Sequence, residues 1–136
     1  MPITWAGTAR KPVQEDWRQF SSRVSLVGGR SHRNHRASHP VNAMLNYAYT
    51  VKQTQLHIDA VAQGYDPTLG IMHISRDGSP AYILDIIEPE RPKVDAAILQ
   101  FIAERSFAAD DFVIRKNGVC RLSPQLARVV AGLIGN

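Results

Sequence analysis

Apolar side chains recur with a helical period over most of the chain after residue 40 and change period only once. The longest such stretch is Val41 to Gln63, with Val41, Met44, Leu45, Ala48, Val51, Ile58 and Ala62 on one side; Ser38 is placed to cap it, Pro40 to start it and Gly64 to stop it. A second start follows Tyr65, where Asp66 can cap with Pro67 at the first position, and this segment ends at His73. Ser79 and Pro80 open a third helix, with Ile83, Leu84 and Ile87 on one face and an end expected before Pro89. From Pro89 or Pro92 to about Phe107 the pattern resumes through Val94, Ile98, Phe101 and Ile102. Between Asp111 and Leu122 two short apolar runs flank Lys116-Asn117-Gly118, and an Asn-Gly in that setting predicts a hairpin. Ser123 and Pro124 then begin a final helix reaching Ile134.

Residues 1–40 lack such a period. Trp5, Trp17 and Phe20 are scattered among Gly7, Pro12, Gly28 and Gly29, with one short helical candidate over Glu15 to Arg23. The expected fold is therefore mainly α, with one small β-hairpin near the C-terminus. An irregular basic arm over 1–40 precedes a helical domain over 41–136.

Charge sharpens that division. Residues 1–40 hold seven Arg or Lys against Glu15 and Asp16, whereas residues 41–136 hold nine basic and ten acidic side chains, so the net charge of +4 originates in the arm. Within it, Arg30, Arg33 and Arg36 alternate with His32, His35 and His39. Arginines so clustered can contact phosphates, and equally can form a solvated basic loop. The histidines have no H-x₃-H spacing or cysteine partner, which argues against zinc. A hydrophobic fraction of 44% supports one real core, and no apolar run approaches the ~20 residues of a membrane span. The single Cys120 fits a reducing cytoplasm and reads as a small apolar strand residue, and the N-terminus lacks the apolar stretch of a secretory signal.

The candidate chemistry centres on residues 73–91. His73 precedes a loop, and Asp85 and Glu88 stand three apart, on one face of a helix. Two carboxylates at a helix C-terminus call for positive charge, which leaves Arg91, Lys93 or a metal ion as the partner. One imidazole with two carboxylates suits Mg or Mn; the alternative is a Glu88–Arg91 ion pair beside an ordinary core or capping histidine. Asn42, Asn46, Tyr49 and Gln53 form a polar stripe along the long helix. Amides are poor helix formers beside Lys and Glu, so the stripe suits hydrogen bonding to a neighbouring segment or nucleic acid as well as a wet face.

Three stretches, HPVNAMLNYAY at 39–49, GYDPTLGIMH at 64–73 and YILDIIEPERPKVD at 82–95, resemble the C-terminal helical domain of CRISPR-associated protein 1. That family is the metal-dependent DNA endonuclease and integrase that inserts new spacers into CRISPR arrays. The resemblance continues weakly through GVCRLSPQLA at 118–127. It implies that His73 and Glu88 are metal ligands and catalytic residues, that Asp85 supports them, and that Asn42, Asn46 and Tyr49 back the centre. It further implies a divalent Mg or Mn ion, DNA as partner, contact by Arg30, Arg33 and Arg36 with that DNA, and CRISPR-associated protein 2 as a candidate partner.

Departures from the family pattern carry their own expectations. The family's third ligand is a glutamate on an earlier helix, and Glu15, the sole glutamate before Glu88, lies in QEDWRQF, which does not fit. The chain thus reads as a C-terminal portion, weak or inactive alone as a nuclease. The alternative is a non-catalytic DNA-binding or assembly module that keeps the fold, and a purely structural remnant is a third possibility. Apolar side chains such as Leu133, Ile134, Trp5 and Trp17, if left uncovered, would favour a homo-oligomer.

Overall fold

The computed structural model of the chain describes residues 1–20, 25–27, 30–32, 38–62 and 87–135. Among the described residues three α-helices form the body: α1 (Pro40–Ala62), α2 (Arg91–Ala103) and α3 (Pro124–Gly135). α1 packs against both other helices and against the last strand. Its Val41, Met44, Leu45 and Ala48 meet Val94, Ile98 and Ile102 of α2 and Leu126, Val130 and Ile134 of α3 in one core. These residues fall three or four apart, so each helix buries one stripe. α1 loses its apolar side toward the C-terminus: Ile58, expected on the buried face, is 60% exposed. The expected helices over Tyr65–Met72 and from Ser79 lie outside the described residues, apart from Ile87, which is fully buried.

The start of α1 differs from expectation in its cap. His39, not Ser38, supplies it: the Val41 N–H donates to His39 Nδ1 at 3.1 Å, and the His39 carbonyl accepts the first helical bond from the Ala43 N–H at 3.0 Å. Ser38 is one position too early, and its carbonyl accepts a hydrogen bond from Trp17 Nε1–H at 3.2 Å. Nor does helical structure stop before Pro89. Glu88–Glu90 form a 3₁₀ turn that runs straight into α2, a place where proline's missing N–H costs nothing.

Among the described residues there are two antiparallel strand pairs where one hairpin was expected. The predicted one pairs β3 (Phe112–Ile114) with β4 (Cys120–Leu122), Phe112 opposite Leu122 and Ile114 opposite Cys120. Its turn depends on Gly118, whose φ of 83° is disfavoured for a side chain with a Cβ, and on Asn117, whose Oδ1 accepts from the Val119 N–H. The other pairs β1 (Ser25–Val27) with β2 (Arg30–His32), Val27 opposite Arg30, inside the segment read as irregular. A three-residue strand is too short for a period to show.

Residues 1–20 join the same core as the helices. The Phe20 N–H donates to the Met1 carbonyl and the Ile3 N–H to the Arg18 carbonyl, folding the segment back on itself around a 3₁₀ turn at Glu15–Arg18. Backbone bonds between Ala6, Thr4 and Phe107 then tie it to the segment after α2. Trp17 is buried, and Trp5, half-buried, stacks on it at 5.7 Å. Trp17 and Ile134 are therefore core residues and not free surface. Trp17 packs edge-on against Phe112 and Ile134 continues the Leu126–Val130 stripe, so neither is an exposed apolar side chain. Leu133, at 41% exposure, stays on the surface.

Ser123 caps α3 as predicted, its Oγ accepting from the Leu126 N–H at 3.2 Å while Pro124 occupies the first helical position. Ser123→Ala is expected to lower stability by about 1 kcal/mol, because the buried Leu126 donor loses its acceptor; an unchanged urea midpoint would contradict this.

Candidate functional site

Glu88 stands at the junction leading into α2. Glu88 follows the helical residue Ile87, the rest of the helix expected before it lying outside the described residues, and together with Glu90 it precedes the partially positive N-terminal end of α2. The positive partner is Arg91, whose Nε lies 3.2 Å from Glu88 Oε1. Lys93 is engaged instead by Glu90 at 3.6 Å. The Glu88 side chain is 64% exposed and that of Arg91 41% exposed, so the pair itself contributes little to stability. Although Arg91 Nε is buried and close to the carboxylate, it makes no hydrogen bond. The contact is one of charge, with the donor not aligned on the oxygen.

Arg91 is placed from the other side by α1. Its guanidinium carbon lies 5.1 Å from the centre of the Tyr49 ring, a cation–π contact. The Tyr49 hydroxyl donates a hydrogen bond to Asp95 Oδ1, one turn along α2 from Arg91. Glu88, Arg91, Tyr49 and Asp95 thus form one continuous chain of contacts between α1 and α2. Sequence spacing reveals the Glu88–Arg91 step, but Asp95 was missed as a member of this site. Its partner is 46 residues away, and the only local hint is that Asp95 follows Arg91 by four.

The polar stripe of α1 divides between two environments. Asn42 is fully buried, and Tyr49 meets α2. Asn46 instead borders a cavity of about 360 Å³ shared with Tyr47, Thr50, Cys120, Arg121 and Ala127. Beyond Phe112 the chain carries Arg115, Lys116, Arg121 and Arg128 and no acid, and all four are exposed. This basic end balances the arm and was not singled out from the sequence. Cys120 is buried, and that burial pushes its thiol up to about 12, so it is inert as a nucleophile at neutral pH.

His73 and Asp85 lie outside the described residues, as do Arg33 and Arg36, while Arg30 falls in β2. Among the described residues, no group of three or more His, Cys, Asp or Glu gathers as a metal-binding cluster. Glu88 fits a hard cation as a single ligand, being an accessible oxygen donor, but one carboxylate beside a guanidinium is not a complete site. No helix among the described residues is long and apolar enough to cross a membrane.

Comparison with known proteins extends this picture. The chain is 32% identical over 115 residues to CRISPR-associated endonuclease Cas1 1 of Pyrobaculum aerophilum, covering 79% of this chain and 38% of the relative. To the CRISPR-associated exonuclease Cas4/endonuclease Cas1 fusion of Geobacter sulfurreducens it is 38% identical over 95 residues, covering 68% of this chain and 17% of that protein. It therefore spans well under half the length of these relatives. A solved structure described as a casposase bound to integration product is similar with a TM-score of 0.68 and 27% identity, over 91% of this chain and 35% of that one. The family model for CRISPR associated protein Cas1 matches residues 15–134, from the turn that carries Trp17 through all three helices to Ile134, and the chain belongs to that family.

Proposed function

We propose that this chain carries the helical catalytic domain of a CRISPR-adaptation nuclease and integrase, acting on DNA with a divalent Mg or Mn ion and weak on its own. The observation that carries this reading is the family match over residues 15–134, which includes Glu88 at the head of α2. The casposase neighbour, described as bound to an integration product, supports DNA as the substrate. His73 and Glu88, with Asp85 beside them, would hold the ion. When bound, such an ion neutralises charge on a scissile phosphate and favours deprotonation of the attacking water or 3′-hydroxyl. The protein's own part is to present Glu88 from the rigid start of α2, while Tyr49 and Asp95 fix that helix against α1. Weakness follows from the ligand count: Glu15 sits on an exposed turn in a context unlike the family's earlier glutamate, and affinity for a hard ion rises with its carboxylates.

Calorimetric titration of Mn into the purified chain tests this. Saturable binding is expected, and it should disappear in His73→Ala and in Glu88→Ala; binding that persists in both variants sinks the assignment. Nicking or strand transfer of a DNA duplex in Mn should be slight in the parent and absent in both variants.

A second reading, a DNA-binding or assembly module without catalysis, is favoured by two features. The Glu88 carboxylate is already faced by a cation, and the chain beyond Phe112 is wholly basic in its charges. It predicts DNA binding that falls steeply with salt and is indifferent to Mn.

A further inference from the structure

Among the described residues β4 pairs only with β3, which leaves its other edge, toward α1, without a strand. The flanking bonds, from the Ser123 N–H to the Asp111 carbonyl and from the Arg115 N–H to the Val119 carbonyl, make Val113 and Arg121 the pair that exchanges hydrogen bonds across the hairpin. Cys120 and Leu122 therefore direct their N–H and C=O groups away from β3, and these groups have no protein partner among the described residues. Backbone groups left so in a packed interior cost about as much as a lost hydrogen bond. They border the cavity of about 360 Å³ between α1, β4 and the first turn of α3, a volume toward the lower end of the roughly 300–1,000 Å³ of small-molecule sites. From α1 the half-buried Tyr47 ring lines the same cavity, with Thr50, whose Oγ1 donates its hydrogen to the Asn46 carbonyl and keeps its lone pairs as acceptors. Arg121 lines it from β4 and is exposed. No carboxylate among the described residues pairs with Arg121, or with the exposed Arg115 and Lys116 on the same hairpin.

We propose that this cavity is a binding site for one unstacked nucleotide, with its base inside and its phosphate at Arg121. A base presents donors and acceptors along one edge, and the successive N–H and C=O groups of a free strand edge answer that pattern. Its π-face suits the Tyr47 ring, a contact that tolerates any base. The guanidinium at the mouth matches a phosphate, and Arg115 and Lys116 extend positive charge along the hairpin for the strand on either side. Intact duplex cannot fill the site, because its bases are stacked and paired; a single strand or a free nucleotide can. The DNA reading given above, on which this inference rests for the source of the nucleotide, favours the strand.

The test measures, in the full chain, affinity for a labelled single-stranded oligonucleotide and for its blunt duplex by fluorescence anisotropy, and for dAMP by calorimetry. It compares the parent with Ala127→Met, Tyr47→Phe, Tyr47→Leu and Arg121→Ala, each checked for native circular dichroism. Ala127→Met fills the cavity from α3 and removes no polar group. The parent should prefer the single strand to the duplex. Ala127→Met and Tyr47→Leu should each weaken single-strand binding about tenfold, the scale of one stacked base lost, and leave duplex binding unchanged. Tyr47→Phe, which keeps the ring, should match the parent. Arg121→Ala should make the dependence of log affinity for the single strand on log salt shallower by about 0.7, one phosphate contact. If DNA binds but Ala127→Met and Arg121→Ala both behave as the parent toward every ligand, the site is overturned and the DNA reading stands. Binding of dAMP that Ala127→Met abolishes, with no binding of either DNA, keeps the nucleotide site and removes the DNA reading. Absence of binding to all three ligands removes both.

Discussion

Replacing Trp17 with alanine is expected to lower the stability of this domain by about 3–5 kcal/mol, the scale of emptying a large aromatic site in a packed core. The side chain is 4% exposed and lies between Trp5, stacked at 5.7 Å, and Phe112, edge-on at 5.9 Å. It also closes two hydrogen bonds: its Nε1–H donates to the Ser38 carbonyl, and its own carbonyl accepts from Trp5 Nε1–H, each at 3.2 Å. Truncation opens a cavity and leaves the part-buried Ser38 acceptor without its donor, next to the start of α1. The consequence reaches the site, because Trp5, Trp17, Phe107 and Phe112 form one cluster that seats the end of α2 and the start of β3. Urea unfolding followed by far-ultraviolet circular dichroism measures the loss. A change below about 1 kcal/mol would mean that residues 1–20 do not dock on the helices as described.

That docking was the least legible part of the fold, for a physical reason. The start of α1, the Asn-Gly turn and the Ser123 cap are set by neighbours within a few residues, so the local pattern suffices to place them. Residues 1–20 are held by partners far along the chain, such as Phe107 against Trp5 and Asp110 against Lys11 at 2.6 Å, and such pairings leave no period. The same contrast divides the site. Glu88 and Arg91 are three apart and read directly, while Asp95 joins only through Tyr49 on another helix. Helical period overstated α1 as well, because it counts Ile58 as apolar without showing that the core has ended by then.

His39 gives the domain a pH dependence whose sign is fixed by geometry. Its Nε2 lies 2.9 Å from the Asp16 carbonyl and 2.7 Å from that of Gln19, so Nε2 carries the hydrogen, and Nδ1 must be bare to accept the Val41 N–H. This is the neutral ring, which links the 3₁₀ turn of the N-terminal segment to the first turn of α1. Burial holds the His39 pKa below its ordinary 6.5, outweighing the two backbone carbonyls and the Asp16 carboxylate that favour the charged form. Below 6.5 the unfolded chain therefore takes up a proton before the folded one does. The stability His39 contributes is complete above about pH 6.5 and is lost as the pH falls toward and through the lower folded value. A proton on Nδ1 would also set two donors face to face and abolish the cap. His39→Ala should cost about 2 kcal/mol at pH 8, where three hydrogen bonds are removed. The gap between parent and variant should narrow steadily as unfolding is repeated down to pH 5. A gap that stays constant over that range would show that the ring is not held in the neutral form. Because the cap opens the helix that carries Tyr49, and through it Arg91, acidification is expected to loosen the platform beneath Glu88 before the core itself gives way.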